Sequence, residues 1–337
     1  MKVYIEVEKL ISYAVLHNLV KEDDRILVTN AVLESIGCDS YAEFTKEEQA
    51  QIDKEVAQIT YPTEVLDRLV QWAAENGTLT TDTLTFRDLL NSKIMGQVLP
   101  RTSVIRKDFW HTYQRSKEQA TQQFYELNKQ SNYIRTDRIA KNILWEHNSP
   151  YGNLEITINL SKPEKDPRDI AAQKDVVATN YPKCLLCKEN EGYMGRVNHA
   201  GRQNLRTIKL DLANEEWFFQ YSPYIYYNEH CIVFSSEHRP MKIDKACFEH
   251  VLGFVEQFPH YFLSSNADLP IVGGSILSHD HFQGGRHVFP MEKATIKERV
   301  SFKGFEDVEA GIVNWPMSVL RLRGEKDRLI ALADVIL

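Results

Sequence analysis

The sequence predicts an α+β fold in which a helical N-terminal region precedes a region of mixed strands and helices. Two observations carry this prediction. Over roughly the first 133 residues, apolar side chains recur at the three- and four-residue spacing of helices. From about residue 134, short runs with alternating or apolar composition indicate strands, which we expect to form one sheet. The domains expected from the sequence are therefore residues 1–133 and 134–337.

The first region contains four well-marked helical segments. The second of them ends at Gly37 and the third at Asn76-Gly77, and both are typical helix stops. The fourth contains neither glycine nor proline and predicts long helical structure. The segments span residues 5–19, 28–36, 63–76 and 103–132.

The second region alternates strand and helix signals. Residues 155–160 follow the period of two that marks a strand. Helices are expected at 245–257 and 325–336, and residues 310–322 form a strand or a short helix. The other expected strands are residues 206–210, 216–221, 231–234 and 270–272.

The composition is that of a soluble globular protein without a nucleic-acid partner. Lys and Arg number 40 against 47 Asp and Glu, which gives a net charge of −7, whereas general nucleic-acid binders usually carry a basic excess. No apolar run reaches the ~20 residues that span a bilayer. Glu6, Glu8 and Lys9 do not fit a signal peptide. We therefore expect a cytoplasmic protein with no membrane partner.

A glycine- and histidine-rich run at residues 273–285, GGSILSHDHFQGG, is the strongest candidate for a catalytic site. If this segment is extended, successive side chains alternate between faces, so His279, His281 and Gln283 share one face. Two imidazoles and an amide on one face favour a chemical role. Hydrogen-bonded histidines in a glycine-rich turn are the less favoured interpretation.

The same run offers groups that suit phosphate. Its two glycine pairs, which include Gly274, permit a ligand to approach the backbone closely. Backbone N–H groups there, together with the hydroxyls of Ser275 and Ser278, can hold phosphate oxygens. An anionic, phosphorylated substrate is therefore expected.

A CxxC turn from Cys184 to Cys187 supplies half of a possible metal site. The five cysteines are too sparse for a disulfide framework. Because no second CxxC exists, two histidines are the natural completion and zinc the favoured metal. A redox pair and two buried free cysteines remain the alternatives. The candidate histidines are His199, His230, His238, His279, His281 and His287.

Two further groups are weaker candidates. The aromatic run at 217–227 could stack a base, but most of its side chains are expected in the core. Five arginines could bind phosphate or sugar, although solvated surface charge is the preferred interpretation. They are Arg135, Arg138, Arg196, Arg202 and Arg206.

Together these motifs resemble the class II (Firmicutes-type) galactose-1-phosphate uridylyltransferases of the histidine triad superfamily. The resemblance spans the whole chain and is strongest from about 133 to 295. It implies a histidine-triad-like antiparallel sheet with flanking helices. The segments that carry it are 159–167 (NLSKPEKDP), 184–187 (CLLC), 227–231 (YNEHC) and 278–285 (SHDHFQGG).

The resemblance also implies an activity. UMP would pass between UDP-glucose and galactose-1-phosphate, with His281 as the nucleophile and Gln283 on a phosphate oxygen. Arg135 and Arg138 would hold phosphates from outside the sheet. A homodimer is common in the family. The expected phosphate-cradling residues are Gly274, Ser275 and Ser278.

The resemblance completes the metal site as well. It matches four residues to the ligands of a structural zinc ion, with His230 as the competing ligand. Four protein ligands leave no open position for substrate, so the ion would serve structure. The four residues are Cys184, Cys187, His238 and His279.

The sequence departs from the family in two ways. Asp280 stands where the better-known class has proline between the two histidines, and it could orient a nearby group. Family members are also longer, so we expect the family's C-terminal part to be absent. The alternatives are therefore a related histidine-triad nucleotide hydrolase or phosphorylase, and a non-catalytic fragment that binds UDP-sugars.

Overall fold

A computed structural model of the chain describes residues 2–79, 81–161, 167–173, 179–269, 271 and 276–337. The chain forms two compact units. The first comprises Met1–Arg138 with Lys162–Ile208, and the second comprises Ile139–Ser161 with Lys209–Leu337. The sequence suggested one boundary near residue 133, whereas in the structure the chain passes from one unit to the other three times. Helices and antiparallel sheets are both present, so the α+β prediction is confirmed.

The first unit is mainly helical, as its apolar periodicity predicts. Residues 103–132 form two helices rather than one, because the Ser116 side chain accepts a hydrogen bond from the Gln119 N–H and starts a new helix. Among the described residues, no helix is long and apolar enough to cross a membrane. The helices are α1 Val3–Leu16, α2 Arg25–Ile36, α3 Lys46–Val56, α4 Thr63–Glu75, α5 Leu84–Gln97, α6 Thr102–Tyr113, α7 Lys117–Gln130, α8 Thr136–Ile139 (which ends at the unit boundary) and α9 Pro167–Gln173.

Local signals set the ends of these helices. Gly37 follows α2 with a φ of +73°, the left-handed conformation that glycine adopts without steric penalty. Thr45 and Glu48 form a reciprocal capping box at the start of α3. The faces of the helices that point inward bury a continuous apolar core. Its fully buried members include Val7, Leu10, Ile11, Val32, Ile36, Leu66 and Leu69.

The second unit contains the sheets. Most of the predicted strands are present, with ends shifted by up to three residues. Residues 310–322 form two strands with a turn between them. The strands are β1 Ile143–Ser149, β2 Gly152–Ile158, β3 Ile208–Leu212 (which begins at the unit boundary), β4 Glu215–Tyr221, β5 Cys231–Ser235, β6 Phe262–Ser264, β7 His281–Gly285, β8 Ile296–Val300, β9 Glu309–Val313 and β10 Leu320–Arg323. The helices are α10 Lys245–Gln257, α11 Pro290–Lys293 and α12 Lys326–Ile336.

The expectation of a single sheet is wrong. The described strands form three sheets, in the orders β1-β2, β3-β4-β5-β7-β6 and β10-β9-β8. Alternation identifies a strand but not its partner, because pairing depends on contacts distant in sequence. The expected strand at 270–272 lies mainly outside the described residues. The edge strand that pairs with β7 is instead Phe262–Ser264.

An aromatic core supports the five-stranded sheet. The Trp217 and Phe282 rings stack with centroids 5.1 Å apart. Phe219 packs between strand and helix, with its ring centroid 6.2 Å from that of Phe254 and 6.0 Å from that of Phe258. All five side chains are fully buried. The expectation that most of the 217–227 aromatics belong to the core is therefore confirmed for strand β4.

We expect Phe219→Ala to lower the free energy of unfolding by about 3–5 kcal/mol, because it removes a buried ring and leaves a cavity. Urea denaturation followed by tryptophan fluorescence measures the loss. Trp145→Ala is the control, since that side chain is 44% exposed. It should change stability by less than about 1 kcal/mol. Equal losses in the two variants would contradict this description of the core.

Candidate functional site

His281 is buried and held in one tautomer. It begins β7, pairs with Phe234 of β5, and is 3% exposed. Its Nδ1 lies 2.7 Å from the carbonyl oxygen of His279. A carbonyl only accepts hydrogen bonds, so Nδ1 carries the proton and Nε2 carries the lone pair. Burial lowers the pKa of His281, which favours the uncharged ring. The ring thus has the form that a nitrogen nucleophile requires.

Gln283 lies two residues further along the same strand, so it shares the His281 face of the sheet. Phe282 between them points into the aromatic core and is 1% exposed. His279 precedes the strand, and its position therefore depends on the turn rather than on strand alternation. The strand fixes the spacing of an imidazole and an amide on one face.

Asp280 fills the place between the two histidines and forms a clamp. Its backbone N–H donates to the carbonyl of Arg239 at 2.7 Å, and its carbonyl accepts from the Ser235 N–H at 3.0 Å. The Arg239 guanidinium also donates to the Asp280 carboxylate at 3.3 Å and to Glu215 at 2.5 Å. A proline could make neither the N–H bond nor the carboxylate contact. Asp280 therefore ties the segment that carries the two histidines to Ser235, the last residue of β5, and to Arg239.

Two histidines lie next to each other at this clamp. The His238 and His279 rings are 5.1 Å apart between centroids and nearly perpendicular. His279 is 1% exposed, and its Nε2–H donates to the Ser235 carbonyl at 2.9 Å. That bond orients the ring and makes Nδ1 the nitrogen suited to a metal. The pair therefore has the form of half a metal site in the second unit.

The two cysteines form a matching pair in the first unit. Their Sγ atoms are 3.6 Å apart, and neither is in a disulfide. Asn190 donates from its side-chain amide to the carbonyls of both Cys184 and Cys187 at 2.8 Å. The His199 Nε2–H donates to the Asn190 side-chain oxygen at 2.7 Å. Asn190 thus holds the CxxC turn, and His199 holds Asn190. No sequence pattern selected Asn190 as a functional residue.

The chemistry of the cysteine pair is unlike that of a redox site. Burial raises the pKa of the Cys184 thiol to about 11, whereas reactive thiols have a lowered pKa. A divalent ion binds thiolates and releases their protons. The donor types of both pairs, thiol sulfur and imidazole nitrogen, fit zinc.

His230 does not have the form of a metal ligand. Its Nδ1 lies 2.7 Å from the Tyr224 carbonyl oxygen and its Nε2 lies 3.3 Å from the side-chain amide of Gln283. Both ring nitrogens are engaged within the second unit. The competing ligand assignment therefore loses its support.

The residues expected to hold phosphate differ in where they lie and in the contacts that they make. Gly274 and Ser275 lie outside the described residues, and Ser278 is exposed in a turn. Arg135 and Arg138 both donate to Asp88, at 3.2 Å and 2.8 Å. An incoming phosphate would have to compete with that carboxylate.

The second glycine pair and Arg206 have structural explanations. A Cβ at Gly284 would lie 2.6 Å from the Phe262 carbonyl oxygen, and one at Gly285 would lie 2.8 Å from the Tyr227 ring. Glycine is required there by chain packing.

Arg206 is 9% exposed and donates to the carbonyls of Pro100, Gln203 and Leu205. The interpretation of Arg206 as solvated surface charge is therefore wrong.

His199 should make stability depend on pH. Burial lowers its pKa to about 4, below the value near 6.5 of an unfolded histidine. Below pH 6.5 the unfolded state binds more protons, so stability falls as pH falls towards 4. Urea unfolding at pH 7 and pH 5 should show a smaller loss for His199→Gln than for the wild type. Equal losses would contradict the assignment.

Two family models match this chain. A family model described as galactose-1-phosphate uridyl transferase, N-terminal domain, matches residues 18–240. The model of the same family's C-terminal domain matches residues 254–335. The family's C-terminal domain is thus represented in the chain, and the expectation that the family's C-terminal part is absent is wrong for this domain. No solved structure gives a significant match.

Curated relatives named galactose-1-phosphate uridylyltransferase match almost the whole chain. The relative from Halalkalibacterium halodurans is 54% identical over 98% of this chain. Those from Streptococcus pneumoniae and Clostridium acetobutylicum are 51% and 50% identical over the same share. The chain spans 64–65% of the length of these relatives. By these matches, the chain belongs to the galactose-1-phosphate uridyl transferase family.

Proposed function

We propose that this chain carries the nucleophile of a uridylyltransferase that exchanges UMP between UDP-glucose and galactose-1-phosphate. The observation that supports it best is the hydrogen bond from His281 Nδ1 to the His279 carbonyl, which leaves the Nε2 lone pair for phosphorus. Family membership supports the choice of substrates. The relatives carry the name of this activity.

The reaction is a double displacement. His281 Nε2 attacks the α-phosphorus of UDP-glucose, the bond to the bridging oxygen breaks, and glucose-1-phosphate leaves. A phosphate oxygen of galactose-1-phosphate then attacks the same phosphorus, the phosphorus–Nε2 bond breaks, and UDP-galactose leaves while His281 returns to its neutral form. Dividing one displacement into two is the usual advantage of covalent catalysis.

The chain's own groups suit both steps. The uridylylated ring is a cation, and the His279 carbonyl that accepts its Nδ1–H stabilises that charge. Because Nδ1 keeps its proton, the ring departs as neutral imidazole when the phosphorus–Nε2 bond breaks, so it is a good leaving group in the second step. Gln283, on the same strand face, is placed to donate to a phosphate oxygen, a contribution worth about 3 kcal/mol for a preorganised donor.

We propose that Cys184, Cys187, His238 and His279 hold one zinc ion. These four described residues provide two sulfur and two nitrogen donors, the number and types that structural zinc sites use. With four protein ligands, the ion would have no open position for chemistry. Its chemical effect is to fix His279, whose carbonyl orients the nucleophile.

Further parts of the proposal follow the family. Arg135, Arg138 and Ser278, with Gly274 and Ser275, are the proposed contacts to phosphate oxygens. The proposed setting is a cytoplasmic homodimer with neither nucleic acid nor membrane as a partner. Residues 1–133 and 134–337 are the proposed functional regions.

The covalent step predicts a labelled protein. UDP-glucose with ³²P in the α-phosphate should leave acid-labile label on wild-type protein, and His281→Asn should remain unlabelled because it lacks the nucleophilic nitrogen. His250→Gln is the control, since His250 is another buried histidine of the same unit. Release of UMP to water without exchange into galactose-1-phosphate would instead indicate a histidine-triad hydrolase. An unlabelled, folded wild type would contradict the double displacement.

The metal proposal predicts zinc in equimolar amount with the protein. Inductively coupled plasma mass spectrometry after gentle purification measures it. Cys184→Ser and Cys187→Ser should each lose most of the metal, because thiolate ligands contribute strongly to zinc affinity. Cys247→Ser, at a buried cysteine outside the proposed ligands, should retain it. Retention of zinc in all three variants would remove the ligand assignment.

A further inference from the structure

A turn whose last two residues, Glu229 and His230, are buried lies against the side chain of Gln283. This turn, residues 227–230, joins the end of the aromatic run to β5. His230 is its last residue and is 3% exposed. The His230 ring lies between the Tyr224 carbonyl, 2.7 Å from Nδ1, and the Gln283 side-chain amide, whose atom placed as Oε1 is 3.3 Å from Nε2.

The carbonyl decides the tautomer of His230. Because the Tyr224 oxygen only accepts, Nδ1 carries the proton. Burial lowers the pKa of His230, so the ring is neutral and Nε2 is an acceptor. Its partner on Gln283 must then be a donor. The two ends of a primary amide have nearly the same shape, so the hydrogen-bond network assigns the NH₂ group to the His230 side.

We propose that His230 is a positioning residue that acts through Gln283. By accepting one amide N–H of Gln283, it fixes the amide plane and leaves the second N–H for an oxygen of the phosphate that His281 attacks. This inference rests on the proposed function. Without His230 the amide can rotate, and the donor loses its preorganisation.

The turn itself is rigidly supported. Glu229 has a φ of +55°, a conformation rare outside glycine that persists only when its surroundings enforce it. The Tyr261 hydroxyl donates to the buried Glu229 carboxylate, and it also lies 2.8 Å from the Tyr221 hydroxyl. The Arg286 N–H donates to the Asn228 carbonyl at 3.1 Å.

Burying the polar groups of this network costs free energy, and a turn with only a structural role would not require them. A buried carboxylate and two buried phenols must all be hydrogen-bonded to be tolerated. Burial raises the pKa of Tyr261 well above its ordinary value, so its hydroxyl stays protonated and donates. The network connects the core of the second unit to the residue that contacts Gln283.

A double-mutant cycle in the full chain tests the coupling. His230→Phe keeps a buried aromatic ring but removes the acceptor. It should lower kcat about tenfold or more, while Gln283→Ala lowers it by about 10²–10³-fold, the range for loss of one preorganised donor. KM for UDP-glucose should change less than about twofold, because the contact is made mainly in the transition state. In the Gln283→Ala background, His230→Phe should have no further effect on kcat.

His250→Phe is the matched control, a substitution of a second buried histidine in the same unit. It is expected to leave kcat within about twofold, because the His250 ring contacts Trp217 and Glu215 and makes no hydrogen bond to Gln283. Multiplicative losses for His230→Phe and Gln283→Ala would overturn the proposal, as would an unchanged kcat in His230→Phe.

A second measurement does not depend on activity. Nitrogen-15 NMR of the histidine rings should show His230 with a protonated Nδ1 and an unprotonated Nε2. The side-chain amide resonances of Gln283 should shift in His230→Phe and remain in place in His250→Phe. A protonated Nε2 on His230 would overturn the proposal. An unlabelled wild type in the ³²P experiment would instead count against the proposed function, and the NMR result would still decide the positioning.

Discussion

The hydrogen bond between the His281 ring and the His279 carbonyl is the interaction on which the site depends. A histidine side chain has two nitrogens of similar basicity, and only a fixed acceptor selects between them. At 2.7 Å, the carbonyl two residues earlier makes that selection. Its own position is set by the His279 ring, which is bound to the Ser235 carbonyl, and by the Asp280 clamp. The tautomer of His281 is thus a property of the turn before the strand.

The surroundings of this turn are built from buried and half-buried polar groups with assigned partners. Glu229 binds Tyr261, His230 binds Tyr224 and Gln283, and Asp280 binds Arg239. In an interior of low polarity such groups are costly alone and specific when paired. They define one arrangement of the β5 and β7 ends more strictly than apolar packing does. The aromatic core beneath supplies stability, and the polar layer supplies orientation.

The cysteine pair is built on the same principle in the other unit. Asn190 binds the carbonyls of both Cys184 and Cys187, and His199 orients Asn190. A turn supported in this way holds two sulfurs 3.6 Å apart. Because the pKa of the Cys184 thiol is raised, the thiol is not suited to redox chemistry. A bound cation would be the natural means of keeping it deprotonated.

The sequence by itself determined the α+β class, the helical first region, the family, and the motif residues Cys184, Cys187, His281 and Gln283. These depend on local periodicity and on spacings of two or three residues, which are readable along the chain. The sequence did not determine the number of sheets, because strand pairing joins residues distant in sequence.

Only the tertiary structure decided the partners of those motif residues. His230, a candidate metal ligand by type, is instead bound at both nitrogens, and Arg206, a presumed surface charge, is buried among carbonyls. Asp280 has a defined role only because Arg239 folds next to it. A side chain's chemistry is set by the few atoms within hydrogen-bonding distance, and the fold alone selects those atoms.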